Sequence, residues 1–92
     1  MKRDKEFIKN SIKMDLHRVV TASGDIRKEI PKESVKIFLD HARKDFEKMS
    51  LTKRETSIKN KFEELIKKFD TISDPHERLR WTEDILTIRC RL

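Results

Sequence analysis

The sequence has 92 residues, 43% of them charged and 35% hydrophobic, and its formal net charge is +6. With one glycine and no tyrosine, the composition argues against a sheet-rich fold, which needs frequent turn residues and aromatic strands. No apolar run approaches the roughly 18 residues of a membrane span, and the single cysteine excludes an internal disulfide. We therefore expect one helical domain over residues 1–92, located in the cytoplasm and not inserted in a membrane.

The first half of the chain predicts two helices, at about 4–22 and 31–49. In the first, Ile8, Ile12, Leu16 and Val19 fall on one face at spacings of four, four and three. Gly24 follows at the usual C-cap position. The second opens at a proline, which suits a first helical turn. Its apolar stripe is Val35, Phe38, Leu39, Ala42, Phe46 and Met49, with Ile37 off the stripe.

The second half predicts helices at about 53–72 and 75–91. Thr52 and Glu55 have capping-box spacing before the third helix, which then carries the cleanest apolar face in the chain. The segment "SDPHE", residues 73–77, holds two acids and a histidine. We interpret it as helix punctuation, because Ser73 or Asp74 can cap the fourth helix and Pro75 fits its first turn.

Short connections between these helices favour antiparallel neighbours. We therefore predict an all-α fold, a small antiparallel (up-down) four-helix bundle. A three-helix bundle with an extra short helix is the alternative.

No catalytic, cofactor-binding or metal-ligating set emerges, so we predict neither an enzyme nor a cofactor. No two of the three histidines, His17, His41 and His76, have the four-residue spacing of a zinc-binding helix, and Cys90 has no second cysteine. A metal site assembled from different helices stays open. Cys90 lies four residues after Leu86, and packing explains it more simply than reactivity does.

Cations gather at the end of the bundle where helices one and three begin and helices two and four finish. We call this end the basic pole. Two cations in the first turn of helix three stand where free backbone N–H groups also favour an anion, although side chains splayed into solvent are the alternative. The candidate contacts to an anion or nucleic acid are Arg3, Lys53, Arg54, Arg89 and Arg91.

Helix four carries two apolar faces about 200° apart at about 100° per residue. Leu79, Leu86 and Cys90 form one face, and a stripe beginning at Trp81 forms the other. A helix of a small bundle rarely buries both sides, so either helix four is enclosed or one stripe is a contact surface. The candidate protein-interface residues are Ile37, Arg78, Trp81, Ile85, Ile88 and Leu92.

These patterns favour a non-enzymatic interaction protein that binds a protein partner, or itself, through helix four and the basic pole. The alternative is a nucleic-acid-binding regulatory protein that contacts phosphates through the basic pole.

Overall fold

The computed structural model describes residues 5–25 and 27–92. Within them the chain forms four α-helices and no strand. The helices are α1 (Lys5–Gly24), α2 (Lys32–Glu47), α3 (Lys53–Phe69) and α4 (Pro75–Arg91). This confirms the predicted all-α four-helix fold. The second and third helices end two or three residues earlier than predicted, since residues 48–49 and 70–71 lie in turns.

The helices pack in chain order around a closed ring. α1 packs against α2 and α4, and α3 packs against α4 and, less closely, α2. α1 and α4 are antiparallel: Arg78 near the start of α4 bonds to the end of α1, and Arg89 near its finish bonds to Lys13. Phe46 and Phe62 meet across the α2–α3 interface with ring centroids 5.5 Å apart. Large side chains at a helix contact increase the interaxial distance, which explains the looser α2–α3 packing.

A single cluster of buried apolar side chains fills the centre of the bundle. Its members are Ile12, Leu16, Val19, Val35, Leu39, Ala42, Phe46, Met49, Ile58, Phe62, Leu65, Phe69, Trp81, Ile85 and Ile88. The predicted stripes of the first three helices supply most of it. Ile37 is off the stripe, as predicted, and is 67% exposed.

Both predicted N-caps are present. Thr52 accepts a hydrogen bond from the backbone of Glu55, and the Glu55 carboxylate accepts one from the backbone of Thr52. At α4, the Asp74 side chain accepts from the Glu77 N–H at 2.8 Å, and Pro75 stands in the first turn. Residues 73–77 thus start a helix, and His76 is exposed.

The orientation of α4 corrects the prediction for its two apolar faces. Trp81, Ile85 and Ile88 are at most 3% exposed and belong to the core, so they do not form a contact surface. Leu92 is partly buried against the same core. The opposite face is the exposed one: Leu79 is 46% exposed, and Cys90 is exposed as well. Two contacts, one from Trp81 and one from Arg78, fix the rotation of α4 about its axis. Neither contact can be predicted from the spacing of apolar residues.

The Trp81 contact joins α4 to α3. The indole Nε1 donates to the backbone carbonyl of Leu65 at 2.7 Å, and the indole ring lies 5.0 Å from that of Phe69, centroid to centroid. A buried indole normally needs such a partner for its N–H. Because the acceptor lies on α3, the bond turns the Trp81 side of α4 inward.

The Arg78 contact joins α4 to the end of α1. Its guanidinium is buried and donates to three backbone carbonyls, those of Ser23 at 2.7 Å, Asp25 at 2.7 Å and Lys28 at 2.6 Å. Arg78 therefore supplies a donor to the Ser23 carbonyl in the last turn of α1, where a helix leaves carbonyls without an intrahelical partner. Gly24 remains helical, and no glycine in the described segments has a positive φ. The prediction of Arg78 as an interface residue is corrected accordingly.

Among residues 5–25 and 27–92, no α-helix combines the length and the apolar composition that a membrane span requires.

Candidate anion-binding groove

The structure separates the cations that the sequence grouped at the basic pole. Arg54 and Arg91 lie together, and Arg54 Nη2 donates to the Arg91 carbonyl at 3.3 Å. Arg89 turns towards α1, where its Nε donates to the Lys13 carbonyl at 3.3 Å. Lys53 is exposed at the start of α3. Arg3 lies outside the described residues.

Glu55, at the start of α3, neutralises two cations of α1 close to this pole. The Nζ atoms of Lys5 and Lys9 lie 2.6 and 2.9 Å from its two carboxylate oxygens. The Lys5 hydrogen bond, followed by the Thr52 backbone N–H and Lys9, lowers the pKa of Glu55 from 4.5 to about 2. One carboxylate therefore serves as a helix cap and as the anchor of α1 on α3.

Two cations of the basic pole, Arg54 and Arg91, line a groove between α3 and α4 together with cations from farther along these helices. The groove consists of two adjoining depressions of about 550 and 720 Å³, both bordered by Lys61 and Asp84. Arg54 and Arg91 border the first depression, and Lys68 and Arg80 the second. We call this feature the α3–α4 groove and define its cations as Arg54, Lys61, Lys68, Arg80 and Arg91.

Helical spacing aligns these cations along the groove. On α3 they recur every seven residues, at 54, 61 and 68, and a seven-residue repeat keeps side chains on nearly one face. At about 1.5 Å per residue, the row extends for about 21 Å. α4 supplies Arg80 and Arg91 on the opposite wall.

Ion pairing elsewhere explains why these charges remain available. Two acids on the α2 side bind cations of α2: Glu63 of α3 lies 3.9 Å from Arg43, and Asp70, just after α3, lies 2.8 Å from Lys36. Within residues 5–25 and 27–92, none of the five groove cations forms an ion pair. Asp84 and Glu77 also border the groove, so its five cations and two carboxylates give it a formal charge of +3.

The Ser57 hydroxyl borders the first depression and is the hydroxyl there that suits an oxyanion. The Thr87 hydroxyl borders the same depression, but its hydrogen is donated to the Glu83 carbonyl of its own helix. The floor is apolar, formed by Ile58 and Ile88 in the first depression and by Leu65 and Trp81 in the second. Cations along an apolar floor present a linear array of donors.

Lys61, Lys68 and Arg80 were missed by reasoning from the sequence alone. The seven-residue spacing of cations on α3 was visible and could have identified two of them. Which face of α4 lies beside that row was not visible, because the rotation of α4 depends on the contacts of Trp81 and Arg78.

The structure also brings together a polar cluster on α1 and α2 that the sequence did not predict. His41 Nδ1 lies 2.5 Å from Asp15 Oδ2 and 3.6 Å from Asp45 Oδ2. The Asp15 hydrogen bond, followed by the Asp15 charge, raises the pKa of His41 above 6.5. The histidine therefore donates from Nδ1 to a buried carboxylate.

Comparison with protein-family models, with curated proteins and with solved structures finds no match to this chain.

Proposed function

We propose that this protein is a non-enzymatic binding protein whose α3–α4 groove holds the phosphate backbone of a nucleic acid duplex. The observation that carries the proposal is the row of five cations without ion pairs along about 21 Å of groove. The phosphates of one duplex strand follow each other every 3.4 Å along the axis. A groove of this length can therefore contact several phosphates of one strand.

The composition of the groove favours a duplex over a single strand. Proteins that hold single strands add exposed aromatic side chains on which bases stack. Trp81, the aromatic residue that borders the α3–α4 groove, is only 3% exposed and bonded to Leu65. Contacts in the groove would therefore be made to phosphates, and the affinity would depend little on the base sequence of the nucleic acid.

The lining of the groove supports binding rather than catalysis. Its two depressions are bordered by cations, carboxylates, hydroxyls and apolar side chains, without a histidine or a cysteine. The Thr87 hydroxyl already donates to its own helix. A nucleophile with an adjacent base is the arrangement that covalent catalysis requires, and the groove does not offer it.

Charge reversal in the groove distinguishes binding in the groove from attraction of the nucleic acid by the net positive charge of the protein. The variant Lys61→Glu/Arg80→Glu and the control Lys32→Glu/Lys44→Glu each change the net charge by the same amount. Both control lysines are exposed and lie on α2, outside the groove. The assay is fluorescence anisotropy with a labelled DNA duplex, an RNA duplex and a single strand at low salt.

We expect the groove variant to weaken duplex binding at least about tenfold, since phosphate contacts supply most non-specific affinity. The control should change it much less. Equal losses in the two variants would show that net charge alone attracts the nucleic acid, and tighter binding to the single strand would contradict the duplex assignment.

A second candidate function, self-association, is favoured by the exposed face of α4. Leu79 and Leu86 are 46% and 42% exposed and stand seven residues apart on one face. Large apolar side chains exposed in a row mark interaction surfaces. Sedimentation at high salt tests it: a dimer that Leu79→Ser/Leu86→Ser dissociates would support self-association, and a monomer at all concentrations would refute it.

A further inference from the structure

The polar cluster between α1 and α2 has the geometry of a metal site. Asp15 on α1 and His41 and Asp45 on α2 each offer one ligand atom, and these three atoms lie within 4.8 Å of one another. The atoms are one imidazole nitrogen and two carboxylate oxygens. Such mixed N/O sets are typical of zinc and related divalent ions.

The two carboxylates are oriented in the same way. Each directs Oδ2 to the His41 ring and Oδ1 to a cation three residues later in the chain: Asp15 Oδ1 lies 3.6 Å from Arg18 Nη1, and Asp45 Oδ1 lies 3.5 Å from Lys48 Nζ. The Ser11 hydroxyl also donates to Asp45 Oδ2 at 2.8 Å. Outer partners of this kind fix ligand orientation in metal sites.

Burial separates the roles of the three side chains. Asp15 and Asp45 are 3% and 6% exposed, whereas the side chain of His41 is 56% exposed. The carboxylates are therefore preorganised in the helix interface. The histidine lies at the mouth of the cluster, where it can adjust and where a water molecule can complete the coordination.

We propose that Asp15 Oδ2, His41 Nδ1 and Asp45 Oδ2 bind a divalent transition metal ion of the Zn²⁺ class, with water as the fourth ligand. The ion takes the place of the proton shared by His41 and Asp15, which leaves to solvent. Bonds of about 2.0–2.2 Å in a tetrahedron separate two ligand atoms by about 3.3 Å. The His41–Asp15 separation of 2.5 Å must therefore widen by about 0.8 Å, which movement of the exposed histidine allows.

Titration with Zn²⁺ alone, followed by calorimetry, and with Co²⁺ alone, followed by visible absorption, tests this site. The full chain carries Cys90→Ser and no affinity tag, so that the exposed thiol contributes no ligand. We expect one ion per chain and the visible bands of tetrahedral Co²⁺. His41→Gln should weaken Zn²⁺ binding by at least about 100-fold, since even outer-shell partners change metal affinity about 10–100-fold.

His76→Gln is the matched control, because His76 is an exposed histidine at the start of α4, and we expect it to leave the affinity unchanged. Because His41 is exposed, His41→Gln should keep the fold, and circular dichroism checks that it does. The test therefore does not depend on a substitution of the buried Asp15, such as Asp15→Asn, which could prevent folding. Absence of saturable Zn²⁺ binding, or equal affinity in the parent and His41→Gln proteins, would overturn the proposal.

Discussion

Arg78 should be the polar side chain on which the stability of the bundle depends most. Its guanidinium is the shared donor for the carbonyls of Ser23, Asp25 and Lys28, at the end of α1 and in the connection to α2. Arg78→Met keeps most of the aliphatic stem, which packs in the interior, and removes all five N–H donors. The substitution therefore isolates the hydrogen bonds from the packing.

The structure allows the size of this effect to be estimated. A hydrogen bond to a charged group contributes about 1.5–3 kcal/mol. The bond to Ser23 is buried, while those to Asp25 and Lys28 are partly buried, so water can replace part of the latter two. We expect Arg78→Met to lower the free energy of unfolding by about 3–5 kcal/mol. At about 0.05–0.15 kcal/mol per residue, the free energy of unfolding of the whole chain is only about 5–14 kcal/mol.

Urea denaturation followed by the fluorescence of Trp81 measures this loss. The exposed Arg80 provides the control, and Arg80→Met should change the free energy of unfolding by no more than about 0.5 kcal/mol. Arg78→Lys should recover only part of the loss, because one ammonium cannot reproduce the planar fork that reaches three carbonyls. A loss below about 1 kcal/mol in Arg78→Met would refute this role.

Two further predictions concern α4 and the capping box. Ile85→Ala should cost about 2–5 kcal/mol in urea denaturation because Ile85 is fully buried, and Leu86→Ala less than about 1 kcal/mol because Leu86 is 42% exposed; the reverse order would contradict the orientation of α4. Glu55→Gln keeps the side-chain shape but removes the charge that Lys5 and Lys9 bind. Since the pKa of Glu55 is lowered from 4.5 to about 2, its stabilisation is fully present above pH 4.5 and lost as the pH falls towards 2. The difference in unfolding free energy between the parent and Glu55→Gln proteins should be on the order of 1–2 kcal/mol at pH 7, because solvent screens the partly exposed lysines. This difference should shrink as the pH falls from 4.5 towards about 2. A difference that stays constant with pH would show that the ion pairs contribute nothing.

Local patterns in the sequence were sufficient for the helices and their caps. Apolar residues at helical spacing predicted α1, α2 and α3, and the Thr52–Glu55 spacing predicted the capping box that the structure contains. These features depend on residues at most a few positions apart. Periodicity records such short-range relations directly.

The rotation of α4 could not be predicted in this way, because its two apolar faces are nearly equivalent in sequence. The bond from Trp81 to Leu65 spans 16 residues and the bond from Arg78 to Ser23 spans 55. Tertiary contacts of this range decide which face is buried.

Only part of the candidate groove could be predicted from the sequence, for a similar reason. The sequence placed Arg54 and Arg91 at one pole but gave no way to see that Glu55 neutralises Lys5 and Lys9 across 46 to 50 positions. Ion pairs between helices neutralise some of the cations near the basic pole. The cations that keep an uncompensated charge line the α3–α4 groove.

The salt dependence of duplex binding tests groove binding most directly. The logarithm of the association constant falls linearly with the logarithm of salt concentration, with a slope of about −0.9 for each phosphate neutralised. Five groove cations therefore predict a slope of up to about −4.5, and Lys61→Glu/Arg80→Glu should reduce its magnitude by about 2. Lys32→Glu/Lys44→Glu should leave the slope unchanged. A slope near zero in the parent protein, or the same slope in the groove variant, would contradict the assignment of the α3–α4 groove to phosphate binding.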